Sequence, residues 1–180
     1  MASRLGLAAL IALALVPSTV RAQEVKSSDL AKQLAQLLDQ KKLDAIALPD
    51  AQNPGSYVAA LYIPGTQLLV VSGKYTAPAL MSDLLAKKDY RGAYSELVAA
   101  AVPESKLFVM DTYANGLMLK PSGSSAPDTV GAGTKSTTFD GEWKKAKITE
   151  ADYAKTFAEN DAAYSRVLQS LIAHLKTSGT

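Results

Sequence analysis

The stretch Ser56–Tyr75, SYVAALYIPGTQLLVVSGKY, constrains the fold of this chain more than any other. Two runs rich in Val, Leu, Ile and Tyr flank Pro64-Gly65, and turn-forming residues bound each run. That is the pattern of two strands joined by a tight turn. Successive strand residues face opposite sides of a sheet. In the first run Tyr57, Ala59, Leu61 and Ile63 share one face while Val58, Ala60 and Tyr62 share the other; in the second, Leu69 and Val71 oppose Leu68 and Val70. Neither face is polar, so a sheet built on this pair must be covered on both sides. A buried helix is the competing reading, but the Pro-Gly break and the β-branched content favour strands. Pro64 and Gly65 suit the central positions of a type II turn. Two-residue hairpins prefer the primed turns, so a slightly longer loop is the alternative.

The first 22 residues read as a cleaved export signal: Arg4 supplies the basic start, Leu5 to Val16 the apolar stretch, and Ala22/Gln23 the best cleavage point. The apolar stretch is too short for a membrane span, which needs roughly 20 residues. No Cys follows it, which excludes a lipoprotein anchor. Residues 23–180 then form one α+β domain. Cleavage takes Arg4 and Arg21 from the 19 basic residues, leaving 17 against 17 acidic ones, so the formal charge falls from +2 to zero. A neutral chain without a basic stripe argues against nucleic acid and against docking on anionic lipid. An exported domain without cysteine must rest on its core rather than on disulfides. The expected location is the bacterial periplasm or the extracellular space.

Along the chain, Ser27-Ser28-Asp29 offers an N-cap, and Leu30, Leu34, Leu37 and Leu38 predict a helix ending at Lys41-Lys42. Leu43, Ile46 and Leu48 continue as a further short turn ended by Pro49, and Asp50 to Gly55 is a loop. Thr76 with Pro78, then Asp89 ahead of Tyr90, Tyr94, Leu97 and Val98, predict two more helices, the second stopped by Pro103. Leu107 to Met110 is a third strand, and Asn115-Gly116 signals a hairpin into Leu117 to Leu119. Residues 120–135 carry almost no large apolar side chain and read as a flexible loop. Asp140-Gly141 signals a last hairpin between Ser136 to Phe139 and Glu142 to Trp143. Thr149 and Asp152 start a long amphipathic helix running to about Lys176. The expectation is a mainly antiparallel sheet of four to six strands, covered by helices, with the C-terminal helix across it.

The chemistry this chain lacks narrows its function. No Cys means no thiol nucleophile and no Cys-ligated metal, and His174 alone makes neither a two-His metal motif nor a triad. Gly73-Lys74 is followed by Tyr75 rather than the Ser or Thr of a phosphate loop. The carboxylates have no calcium-loop spacing. No catalytic or metal site is therefore assigned. Asp161, beside Asn160, falls near the buried side of the last helix and needs a hydrogen-bond partner there. The strand exit Ser72, Lys74 and Tyr75, with Arg91 and Tyr94 beyond it, combines groups that grip an anion with rings that stack on a planar ligand.

The order helix, two apolar strands, helix, strand over Leu30 to Asp111 resembles the start of the pyridoxamine 5′-phosphate oxidase-like flavin-binding split barrels, with Ser72 and Lys74 at the matching strand exit. The resemblance implies FMN as the cofactor. The chain as a whole also resembles exported bacterial proteins, a likeness that carries no activity. Three functions remain open. The first is a small-molecule or cofactor-binding module of flavin type, built on Ser72, Lys74, Tyr75, Arg91 and Tyr94. The second is a non-catalytic interaction protein of the cell envelope, with a protein partner or a second copy of itself. The third is a hydrolase using carboxylates alone.

Overall fold

The structure, a computed structural model, describes residues 26–74, 105–120, 126–132 and 135–178. The expected export signal, the two helices expected over residues 76–101, and Tyr75, Arg91 and Tyr94 lie outside the described residues. Six strands form one antiparallel sheet in chain order: β1 (Ala45–Pro49), β2 (Tyr57–Ile63), β3 (Gln67–Gly73), β4 (Ser105–Thr112), β5 (Asp128–Ala132) and β6 (Lys135–Phe139). Helix α1 (Ser27–Lys41) precedes the sheet and α2 (Glu150–Thr177) follows it. The fold is α+β.

The β2–β3 hairpin keeps Pro64 and Gly65 at the centre of a turn closed by the Thr66 N–H on the Ile63 carbonyl at 3.0 Å, within a loop one residue longer than the two-residue form. Ile63 pairs with Gln67, so Pro64, Gly65 and Thr66 form the turn, with Gly65 in the left-handed region at φ 67°. Both faces of the pair are buried, as their apolar parities require. Val58, Ala60, Tyr62, Leu68 and Val70 join a core with Leu107, Val109 and Val130. Leu30, Leu34 and Leu38 of α1, and Tyr164, Leu168, Leu171 and Leu175 of α2, complete that core. Ala59, Leu61, Leu69, Val71 and Phe108 are buried on the opposite parity. Thr149 caps α2 through its side chain, which accepts the N–H of Asp152 at 3.1 Å.

Five local expectations are corrected. Leu43 to Pro49 is not a helical turn: Lys42 closes α1 in a left-handed conformation at φ 54°, and Ala45–Pro49 pairs with β2 as an edge strand. Ser27 does not cap α1. It is wholly buried, and the N-cap position falls on Lys26, which makes no side-chain cap. No strand follows Asn115-Gly116, because the loop's amides go to a carboxylate instead. A strand, β5, lies within the stretch expected as a loop, and it pairs with β6, so Glu142 and Trp143 form turn rather than strand. Thr and Gly in β5 hid it from a search for large apolar residues, since only Val130 contributes to the core.

Candidate functional site

The β1–β2 loop is folded around one carboxylate. Asp50 Oδ1 accepts the N–H of Gln52 at 2.9 Å, an Asx turn that the Asp-x-x-Asn-Pro-Gly sequence favours. Its Oδ2 accepts from Asn53 Nδ2 at 2.8 Å and from the Ser72 hydroxyl at 2.8 Å. Burial pushes the Asp50 carboxyl up, but the bonds from Asn53, Ser72 and the amides of Gln52 and Asn53 outweigh it and hold the group below its ordinary value. Lys106, at the start of β4, donates from Nζ to Asn53 Oδ1 at 2.5 Å.

These groups form one wall of a polar cleft of about 170 Å³; Arg166 and Ser170 of α2 form the other. The strand alternation that puts Val58 in the core puts its partner Ser72 on the same face, so the Ser72 hydroxyl reaches the cleft rim from below. Lys106 and Arg166 bring two cations to it. Among the described residues no carboxylate forms an ion pair with Arg166. Asp50, the only acid among the described lining residues, already spends both oxygens on internal bonds. The arrangement suits a small anion.

Of the residues that sequence assigned to a ligand site, Ser72 lines this cleft and is buried, donating to Asp50. Lys74 is exposed just past β3 and is not part of the lining. Asp50, Asn53, Lys106 and Arg166 were missed. The turn-rich composition of residues 50–55 marked a loop, but nothing local announced that its acid would meet Ser72, or that α2 would bring Arg166 across.

A second polar cluster lies deeper, between the sheet and both helices. Asp111 is fully buried at the end of β4, and Asp128 is 1 % exposed at the start of β5. Extending the Val109–Val130 register places the two acids opposite one another. Asp111 accepts from the N–H of Asn115 (2.9 Å), the N–H of Gly116 (2.8 Å) and the Tyr164 hydroxyl (2.9 Å). Asp128 accepts from the N–H of Thr112 (2.9 Å) and of Met118 (3.1 Å). Tyr113, Ala114 and Gly116 all have positive φ, at 69°, 50° and 83°. The acids thus supply the acceptors that a hairpin partner would otherwise supply. Ser27 extends the cluster, accepting the N–H of Leu117 at 3.0 Å and donating its hydroxyl to Asp161. The partner that Asp161 needed is therefore a serine from the other helix.

Burial raises both carboxyls, Asp111 to about 6 despite its three donors, and Asp128 to about 7, with the Asp111 charge adding to the push. The Tyr164 hydroxyl is raised well above its ordinary value by burial and by the Asp111 charge. These acids hold the 113–118 loop in place through its amides. Among the described residues no cluster of three or more His, Asp or Glu side chains is placed to hold a metal ion.

The class that the fold and cleft define is an α+β domain built on a six-stranded antiparallel meander, with a polar cleft between one sheet end and the C-terminal helix. The chain matches no protein-family model, and no similar curated protein or solved structure was found.

Proposed function

We propose that this chain is an exported binding module for a small anionic molecule, held in the cleft between Ser72 and Arg166. The observation that carries this reading is the placement of Lys106 and Arg166 at a cleft whose described lining holds one carboxylate, Asp50, with both its oxygens taken up by its own loop and Ser72, so that two cations stand against one anion. Charge-assisted hydrogen bonds from Lys and Arg are among the stronger polar contacts available to a ligand. The volume of about 170 Å³ is below the roughly 300–1,000 Å³ of pockets that enclose a drug-sized molecule. Phosphate, or a carboxylic acid of a few carbons, fits it. Of a flavin mononucleotide this cleft has room only for the phosphate end.

The test is calorimetric titration of the full chain with inorganic phosphate, succinate and FMN, alongside an absorbance spectrum of the purified protein. Saturable binding of phosphate or succinate that is lost in Arg166→Ala supports the reading. A yellow protein whose flavin is retained in that variant replaces it with a flavin site elsewhere. Absence of binding to all three probes overturns it.

A further inference from the structure

The turn after β6 carries Trp143, the only tryptophan of the chain, and it is held more tightly than an exposed turn needs to be. The Tyr153 hydroxyl, rooted in the core by α2, accepts the N–H of Asp140 at 3.0 Å and of Gly141 at 3.4 Å, and donates to the Thr138 carbonyl at 2.9 Å. Asp140 Oδ1 accepts the N–H of Glu142 at 2.7 Å. Gly141 supplies the left-handed φ of 78° that the turn requires. The indole is half-buried, with one part packed on the core. Its neighbour Lys144 sets Nζ 5.3 Å from the ring centroid.

An open groove of about 510 Å³ lies in front of this ring, lined by Trp143, Lys120, Lys144, Lys145, Glu142 and Glu150. That volume falls within the range of small-molecule sites. Three lysines face two glutamates, so the groove is net positive. Lys120 pairs with Glu150 at 3.7 Å with both side chains more than half exposed, and Lys145 pairs with Glu142, also in solvent. Exposed pairs of this kind contribute little, so either lysine can turn to a ligand anion at small cost. Lys144 does the same when a flat ring takes its place over the indole, because stacking on the aromatic face replaces its cation–π contact.

We propose that this groove binds planar aromatic anions of about nucleoside monophosphate size. The ring stacks on Trp143 and the anionic group lies between Lys120 and Lys145. The site is independent of the cleft at Ser72. A rigid aromatic platform gives ring recognition at little ordering cost, and the lysine rim distinguishes a charged ring compound from its neutral parent.

The experiment is fluorescence of the full chain excited at the tryptophan edge, titrated with AMP, with adenosine as the ring without charge and ribose 5-phosphate as the charge without ring. The expected result is saturable quenching by AMP, about tenfold weaker binding of adenosine, as one charge-assisted contact predicts, and no quenching by ribose 5-phosphate. The Lys120→Ala, Lys145→Ala double variant should weaken AMP by about tenfold or more on the same basis, while Arg166→Ala leaves it unchanged. Both lysines are exposed, so the fold survives their loss. Calorimetry on Trp143→Ala, checked for wild-type circular dichroism, should show AMP binding lost. Failure of AMP to quench saturably, equal affinity for adenosine and AMP, or undiminished AMP binding in the double lysine variant would overturn the proposal.

Discussion

The buried acid pair gives this domain a pH dependence of unusual sign. Asp128 has its carboxyl raised to about 7, first by burial and then by the Asp111 charge, against an unfolded value of 3.8. Asp111 is raised to about 6, by burial. Between the unfolded and folded values the native state holds more protons than the unfolded one, so stability falls as pH rises. The fall begins near pH 4, is steepest between about pH 4.5 and 6, where both acids hold an extra proton in the native state, and levels off above the Asp128 value. A shift of this size corresponds to about 4 kcal/mol for Asp128 alone, taking 1.36 kcal/mol per unit. Asp50 has the opposite sign, because its lowered carboxyl costs stability only as pH falls below about 4. Urea unfolding between pH 4.5 and 8.5 therefore isolates the buried pair. Asp128→Asn should flatten the curve. Its amide oxygen keeps the Thr112 N–H but its NH₂ group faces the Met118 N–H, so about 1 kcal/mol is lost in acid. By pH 8 that loss should be reversed, with the variant more stable than the parent by a few kcal/mol. A wild-type stability that is flat or rises from pH 5 to 8, or a variant that keeps the wild-type slope, would refute the reasoning.

Other perturbations probe the same framework. Gly116→Ala places a Cβ 2.2 Å from the Ser28 amide nitrogen at a φ of 83°; the expected cost is about 3 kcal/mol or more. Gly65→Ala, at φ 67° but with open space around it, should cost only about 1 kcal/mol by thermal melting. Tyr164→Phe removes one of three donors to a buried carboxylate. It should cost about 1–3 kcal/mol and, by lifting the Asp111 carboxyl further, should steepen the pH dependence measured in urea. Ser72→Ala strips a donor from Asp50; its carboxyl, followed by NMR, should titrate at a higher pH than in the parent, with about 1 kcal/mol of stability lost.

What the sequence revealed of the fold followed from side chains that repeat. The two-sided burial of β2 and β3 was readable from Val, Leu and Ile on both parities, and α2 from its apolar spacing and its Thr149 cap. The misses share a cause. β1 is short and ends in Pro49, β5 is short and partly polar, and what makes them strands is the neighbour they pair with. Asn115-Gly116 carries the signature of a hairpin turn, yet Asp111 outbids the expected strand for its amides. Of the cleft lining, Ser72 was marked in the sequence as part of the strand exit with Lys74 and Tyr75, and Lys74 lies outside that lining. Arg166 and Lys106 were not marked, since their meeting depends on where α2 crosses the sheet. Asp161 was legible as an acid near the buried side of its helix in need of a partner, and it is half-buried; Ser27 was legible as the start of a helix. Their union spans 134 positions and has no local trace.

That span has a consequence for how the chain acquires its structure. Every strand pairs with its neighbour in sequence, so the sheet is assembled from contacts that close comparatively short loops. The cluster that locks the 113–118 loop is different in kind: Ser27 from the first helix and Tyr164 and Asp161 from the last must both arrive. Contacts of such separation are formed late, after the loop-closure entropy has been met by the rest of the sheet. Lesions in the cluster therefore belong on the unfolding limb of a chevron, speeding escape from the native state while leaving the folding rate nearly untouched. A chain truncated before Asp161 would keep all six strands in its sequence and still lack the keystone that holds α1 and the loop together.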